Sequence, residues 1–117
     1  MLNITDMKVA VTTASGNLGS TVIKTLKKEI GEQNVVGIAR TPAKAEYLQV
    51  EIRKGDYNSL EDFVKALQGV DAVLIVSNTG DPKDRVAQHR NIIEGAKENG
   101  LKNSIYKYSR RRVAFFL

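Results

Sequence analysis

Val9-Ala10-Val11-Thr12-Thr13-Ala14-Ser15-Gly16-Asn17-Leu18-Gly19 decides the fold of this chain. Four residues of buried-strand character, Val9 to Thr12, run into small flexible residues and then into a helix that begins near Asn17. Such a loop points the backbone N–H groups of a helix N-terminus toward one place, which makes an anion site. The spacing matches the phosphate-binding turn of dinucleotide folds. There one glycine lets the backbone approach a pyrophosphate and another lets the helix pack close to the strand. Gly16 and Gly19 suit those two roles. Thr13 stands where a first glycine would make the tight turn, and as a β-branched residue it resists positive φ. Taken alone, the stretch also fits a tight strand-to-helix turn that binds nothing.

Downstream, strand and helix patterns alternate. Met7 to Thr12 reads as the first strand, and a helix from Asn17 to Ile30 carries Leu18, Val22, Ile23, Leu26 and Ile30 on one face, with Gly31 past its end. Val35 to Ala39 is a second buried strand; Pro42 then opens a short helix carrying Ala45 and Leu48. Val50 to Arg53 reads as a third strand. Ser59 caps a helix whose stripe is Leu60, Phe63, Val64 and Leu67. Ala72 to Val76 is the fourth strand, and Asp81-Pro82 starts a long helix ending at Gly100, with Val86, Ile93 and Ala96 inward. Ser104 to Tyr108 is the fifth strand. The alternation predicts an α/β, Rossmann-like, doubly wound parallel sheet of about five strands in the order 3-2-1-4-5, with ligands at the carboxyl ends of the strands.

The 117 residues suffice for one domain and its core, not for a cofactor domain plus a substrate domain. No apolar run approaches the roughly 20 residues that cross a bilayer, and no secretory h-region is present, because Asp6 and Lys8 interrupt the N-terminal apolar residues. With no cysteine there is neither a disulfide nor a thiolate metal site, and a cytoplasmic protein is expected. The net charge of +5 comes from one end: of the 18 basic residues, Lys107, Arg110, Arg111 and Arg112 lie at 103–117, leaving 14 against 13 acidic residues elsewhere. A nucleic-acid surface would spread its charge over a face with interleaved aromatic residues, so none is expected.

Arg40 follows the second strand, where dinucleotide folds place an acid for a ribose 2′-OH or an arginine for a 2′-phosphate. No acid stands there. Arg40, with Lys44 one helical turn on, favours a phosphorylated ribose, since a guanidinium matches phosphate with its fork of donors. Two solvated surface cations are the plainer alternative. Asp56, in Gly55-Asp56-Tyr57 after the third strand, either accepts from an adenine amino group or caps its own loop. Ser77-Asn78-Thr79-Gly80 after the fourth strand either meets the nicotinamide end of a cofactor or is a polar turn. His89, the single histidine, reads as a helix-packing residue before a catalytic one, and no metal site is expected. Tyr106 and Tyr108 precede Arg110 and Arg112 at a Tyr-x-x-x-basic spacing, but a strand does not stack them on one face, so no catalytic residue is assigned.

Together, the loop Thr12 to Gly19, Arg40-Thr41-Pro42-Ala43-Lys44-Ala45, Gly55-Asp56-Tyr57 and Gln88-His89-Arg90-Asn91 resemble the atypical short-chain dehydrogenase/reductases of the NmrA-like group. The likeness is greatest to the bacterial NAD(P)H-dependent quinone oxidoreductases of type 2, whose loop reads like Gly-Ala-Thr-Gly-x-Leu-Gly. It covers residues 7 to 102 and spans about the first two-fifths of a family member. It implies a loop from Thr13 through Ser15 in which Gly16, Asn17, Leu18 and Gly19 contact a pyrophosphate. It also implies Arg40 and Lys44 at a 2′-phosphate, Asp56 and Tyr57 on the adenine side, and Ser77 with Asn78 at the nicotinamide half. The cofactor implied is NADP(H) in preference to NAD(H).

Two departures from the family pattern stand out. Thr13 replaces the first glycine, and after Tyr106-Lys107-Tyr108 the tail from Ser109 to Leu117 has no family character. A dinucleotide-binding domain over 1–108 is therefore expected, truncated and followed at 109–117 by a basic and apolar tail. That tail is read as out-of-frame sequence left by a frameshift or early stop. In the family, hydride passes from the nicotinamide to a stacked quinone without an obligatory protein acid. The function implied is the NAD(P)H-binding part of a quinone-reductase-like oxidoreductase. The alternative is a non-catalytic NAD(P)-binding redox sensor of the NmrA type. Loss of a second half would leave apolar surface at the fifth strand, and Val113-Ala114-Phe115-Phe116-Leu117 adds to it, so self-association through that edge and tail is expected.

Overall fold

The structure, a computed structural model, describes residues 7–76, 82–101, 105–108 and 113–116. In chain order its main elements are β1 (Val9–Val11), α1 (Asn17–Ile30), β2 (Val35–Ala39), β3 (Glu51–Lys54), α2 (Leu60–Ala66), β4 (Ala72–Val76), α3 (Pro82–Glu98), β5 (Ile105–Tyr108) and β6 (Val113–Phe116). They form one sheet in the order β3-β2-β1-β4-β5-β6. The first five strands are parallel, with Val9 opposite both Val35 and Ala72, and β6 runs antiparallel to β5. The predicted order 3-2-1-4-5 is the order observed. The order reverses beside β1, which opens a crevice at the carboxyl ends of the strands.

Helices on both faces explain why the central strands read as unbroken apolar runs. On one face α1 packs Val22, Ile23 and Ile30 against Val11, Val35 and Leu48. On the other, α2 and α3 bring Phe63, Leu67, Ile92 and Ala96 onto Ile38, Val73 and Ile75. Every residue of β2 is buried. The Ser59 hydroxyl accepts from the Asp62 N–H at 3.2 Å and caps α2, as its spacing predicts.

Several details differ from the sequence reading; the first strand, for one, is Val9–Val11 and not Met7 to Thr12. Residues 42–48 form two 3₁₀ turns, Pro42–Lys44 and Glu46–Leu48, closed by Gln49 at φ 59°, instead of one short helix. Ala45 and Leu48 are both buried, and the eclipsed i, i+3 geometry of a 3₁₀ turn brings them inward together. Lys27 Nζ fastens this segment to α1 through the Leu48 carbonyl at 2.7 Å. Val86 is 61% exposed, not inward, while Ile92 and Ala96 are buried. The reason is length: α2 has seven residues against seventeen in α3, so the first turns of α3 run on past it. The third strand lies one residue later than expected. Finally, the tail supplies β6, so β5 is not the sheet edge expected as a self-association surface; the outer strands are β3 and β6. Val113 to Phe116 carry β-branched and aromatic residues suited to that pairing.

Candidate functional site

The first turn after β1 is built around two threonines. Thr12 is buried, and its Oγ1 accepts from the Val76 N–H at 2.9 Å and donates to the Val76 carbonyl at 3.5 Å. This joins the ends of β1 and β4. Thr13 has φ 51°, the left-handed conformation that favours glycine, at the position where the motif's first glycine would stand. A β-branched residue there costs on the order of 1–3 kcal/mol, which the surroundings must offset. Its N–H donates to the Tyr57 hydroxyl, and its own hydroxyl donates to the Thr12 carbonyl at 2.7 Å. The Ala14 N–H donates to the Ile38 carbonyl at 3.0 Å, and the Gly16 N–H closes the turn onto the Thr13 carbonyl at 2.9 Å.

Helix α1 leaves this turn in close contact with it. A Cβ on Gly19 would lie 2.0 Å from the Thr13 carbonyl oxygen, so only glycine allows the helix to start here. The first intrahelical bond is made by the Ser20 N–H to the Gly16 carbonyl at 2.9 Å. The backbone N–H groups of Asn17, Leu18 and Gly19 therefore have no acceptor among the described residues, and no acidic side chain occupies the first turn. An anion would satisfy those donors.

A cleft of about 220 Å³ joins this turn to the ends of β2 and β3. It brings together Thr13, Ser15 and Gly16, then Arg40 and Lys44, then Asp56 and Tyr57, with Gln88 of α3 on the far side. Of the residues singled out in the sequence, Asn17, Leu18 and Gly19 stand at the N-terminus of α1 without lining the cleft, and Ser77 and Asn78 lie outside the described residues. His89 is half-buried on α3 and does not line it either. Arg40 and Lys44 are exposed, and neither makes an ion pair among the described residues. Asp56 is the carboxylate of the cleft. Its Oδ1 accepts from the Asn58 N–H at 2.9 Å and its own N–H donates to Asp62 Oδ2 at 2.9 Å, so it caps its loop.

Tyr57 is nearly enclosed. Its ring lies 5.4 Å from that of Phe63, its carbonyl accepts from Asn91 Nδ2 at 3.0 Å, and its hydroxyl donates to the Ile38 carbonyl at 3.5 Å while accepting from Thr13. Burial pushes its hydroxyl up to about 12, outweighing the lowering effect of the Thr13 N–H that it accepts. At neutral pH the group is thus a fixed donor and acceptor rather than an acid. Sequence reading missed the Thr12 bridge, the Asn91 tie and the wall formed by Asn58 and Gln88. Thr12, Gln88 and Asn91 fell within stretches already marked by resemblance, and Asn58 did not. No cluster of three or more His, Cys, Asp or Glu residues able to hold a metal ion occurs among the described residues, and no described helix is long and apolar enough to cross a membrane.

A parallel sheet whose first strand-to-helix turn shares a cleft with cations at the end of the second strand, and leads into a helix whose first N–H groups have no acceptor among the described residues, defines a Rossmann-type dinucleotide-binding domain. The particular family follows from comparison with known proteins. The model of the NAD(P)H-binding family matches residues 13–109, and the chain belongs to that family. Quinone oxidoreductase 2 of Escherichia coli K12 is 39% identical over 101 residues, which are 84% of this chain and 35% of that protein. The crystal structure of the NADPH-dependent quinone oxidoreductase of E. coli complexed with NADPH superposes with a TM-score of 0.77 at 38% identity, over 85% of this chain and 35% of that one. The triphenylmethane reductase of Citrobacter sp. complexed with NADP(H) gives 0.79 at 36% identity, over 86% and 36%. The chain thus spans about a third of the length of these relatives.

Proposed function

We propose that the cleft binds NADP(H) in preference to NAD(H), and that the chain is the dinucleotide-binding part, assigned to 1–108, of a cytoplasmic oxidoreductase passing hydride from NADPH to a quinone. The observation that carries this reading is a single cleft in which Arg40 and Lys44, without ion-pair partners among the described residues, face the turn whose helix leaves three N–H groups with no acceptor among those residues. Pyrophosphate is assigned to the N–H groups of Asn17, Leu18 and Gly19, with Thr13, Ser15 and Gly16 forming the loop beneath it. A 2′-phosphate is assigned to Arg40 and Lys44, since the end of β2 carries no acid that would favour a free 2′-OH. Asp56 and Tyr57 border the adenine side, and Ser77 with Asn78 are assigned to the nicotinamide half. The names of the E. coli and Citrobacter relatives support the cofactor class, and those of the E. coli relative the quinone acceptor.

The bound nicotinamide supplies the hydride; the residues of this chain bind and orient the cofactor. A quinone draws its protons from water, so no side-chain acid is assigned. Copies of the chain are proposed to associate through the outer edge of β6. The test of binding is a titration with NADPH and NADH followed by the nicotinamide's own fluorescence, in a chain that has no tryptophan. NADPH is expected to bind more tightly, and Arg40→Ala to weaken NADPH about 10- to 100-fold, the worth of hydrogen bonds to a charged group, while leaving NADH nearly unchanged. Equal binding of both cofactors would remove the role given to Arg40, and no binding of either would remove the reading.

A further inference from the structure

Within the dinucleotide-binding reading, on which this inference rests, one buried side chain has more partners than a wall residue needs. Thr13 occupies a left-handed conformation at φ 51°, and among the described residues the group that takes its N–H is the hydroxyl of Tyr57, 44 positions away in sequence. The same hydroxyl donates to the Ile38 carbonyl, which also accepts from the Ala14 N–H. The Ile38 carbonyl of β2 is thereby tied to two successive residues of the turn, to Ala14 directly and to Thr13 through the Tyr57 hydroxyl. Tyr57 is itself held from three sides: by the Phe63 ring of α2, by Asn91 of α3 at its carbonyl, and by Asp62 at the preceding N–H. Its position is set by helices that do not contribute to the turn.

We propose that Tyr57 is a positioning residue whose hydroxyl holds Thr13 in the left-handed conformation and thereby keeps the phosphate-binding turn in the shape its ligand requires. With glycine at position 13 the conformation would carry no steric penalty and the hydroxyl would have little left to hold. With threonine the turn has a cheaper alternative, relaxation of φ to negative values, which would move the Thr13 carbonyl and with it the start of α1. The side chain is thus assigned a role distinct from bordering the adenine.

A double-mutant cycle separates these roles. Wild type, Tyr57→Phe, Thr13→Gly and the double variant are titrated with NADPH and melted thermally. The expected result is that Tyr57→Phe weakens NADPH about tenfold in the wild-type background and less than threefold in the Thr13→Gly background, with the loss in Tm shrinking in parallel. Equal losses in both backgrounds, or none in either, overturn the proposal, because a tyrosine acting directly on the adenine or only on the core would not depend on residue 13. Should wild type bind no NADPH, the dinucleotide reading falls, and the melts still decide whether Tyr57 and Thr13 are coupled. Should Tyr57→Phe fail to fold, folding of the double variant is the same rescue, and failure of both overturns the coupling.

Discussion

Gly19 and Tyr57 show what single residues do at this turn. A methyl group on Gly19 would sit 2.0 Å from the Thr13 carbonyl, a backbone atom that yields only if the turn or the helix start moves. Gly19→Ala is expected to cost about 1–3 kcal/mol, as overpacking does, read as a lower urea midpoint, and to abolish NADPH binding by displacing the unpaired N–H groups. Tyr57 makes a prediction in pH. Its folded value near 12 lies above the ordinary 10 of an unfolded tyrosine, so the unfolded chain releases this proton first as pH rises. The neutral hydroxyl contributes its full stability below pH 10, and the contribution declines between pH 10 and 12 by up to about 2–3 kcal/mol. Urea midpoints at pH 9 and 11 should fall more steeply for wild type than for Tyr57→Phe; parallel declines would contradict this. The close approach at Gly19 was legible in the sequence because spacing within one turn determines it. The Tyr57 hydroxyl was not, since its partners are set by how β2, β3 and α2 assemble.

At the level of elements, the pairing of α2 with α3 governs the wall of the cleft. Gly95, inside α3, would bring a Cβ to 2.8 Å from the Phe63 Cβ and 2.9 Å from its carbonyl carbon, so α3 meets the backbone of α2 directly. Asn99 Nδ2 adds a bond to the Val64 carbonyl at 2.9 Å. Gly95→Ala removes a residue unfavourable to helices but separates two packed backbones. The second effect wins here, because the local gain is about 1 kcal/mol and the clash involves atoms that cannot rotate away. A fall in Tm of several degrees is expected, with weaker packing of Phe63 on Tyr57. Buried strands such as β2 and β4 were legible with their boundaries because both faces are covered and every position is apolar. The 42–48 segment was not, since Ala45 and Leu48 at i, i+3 fit either helix type and the choice falls to Gln49 and its left-handed φ. Val86 was misplaced for a related reason: helical phase says which face a residue shares, and the length of the neighbouring helix says whether anything lies there.

For the whole molecule, the sheet ends in β3 on one side and β6 on the other. β3 is blunted by charge, with Glu51 bonded by Arg53 at 2.6 Å and by Lys8 at 3.3 Å; the Arg53 bond is the chief reason that its carboxyl is held below the usual range. β6 has the sequence VAFF, with no charged residue within the strand, which makes its outer edge the expected place for copies to pair. A single chain has a Cα radius of gyration of 12.8 Å. X-ray scattering across a concentration series should show a value rising above roughly 13 Å if copies associate; a constant value at high concentration would contradict it. The tail was illegible as structure because its basic residues mask a four-residue strand, and four residues give no period to count.

The bridge between Thr12 and Val76 has a consequence for how the crevice opens. Backbone pairing of β1 with β4 ends at Val11 and Leu74, and from there the chain turns into α1 on one side of the sheet. Two residues further along β4, the Val76 N–H is held by a threonine oxygen in place of a strand partner. The hydroxyl acts as the last stitch of a seam, letting the chains diverge at a fixed point while stopping the separation from running back into the sheet. In hydrogen-exchange terms, the Val76 amide should be as slow as those of the central strands although it lies past the final backbone pair between β1 and β4, and Thr12→Val should release it alone.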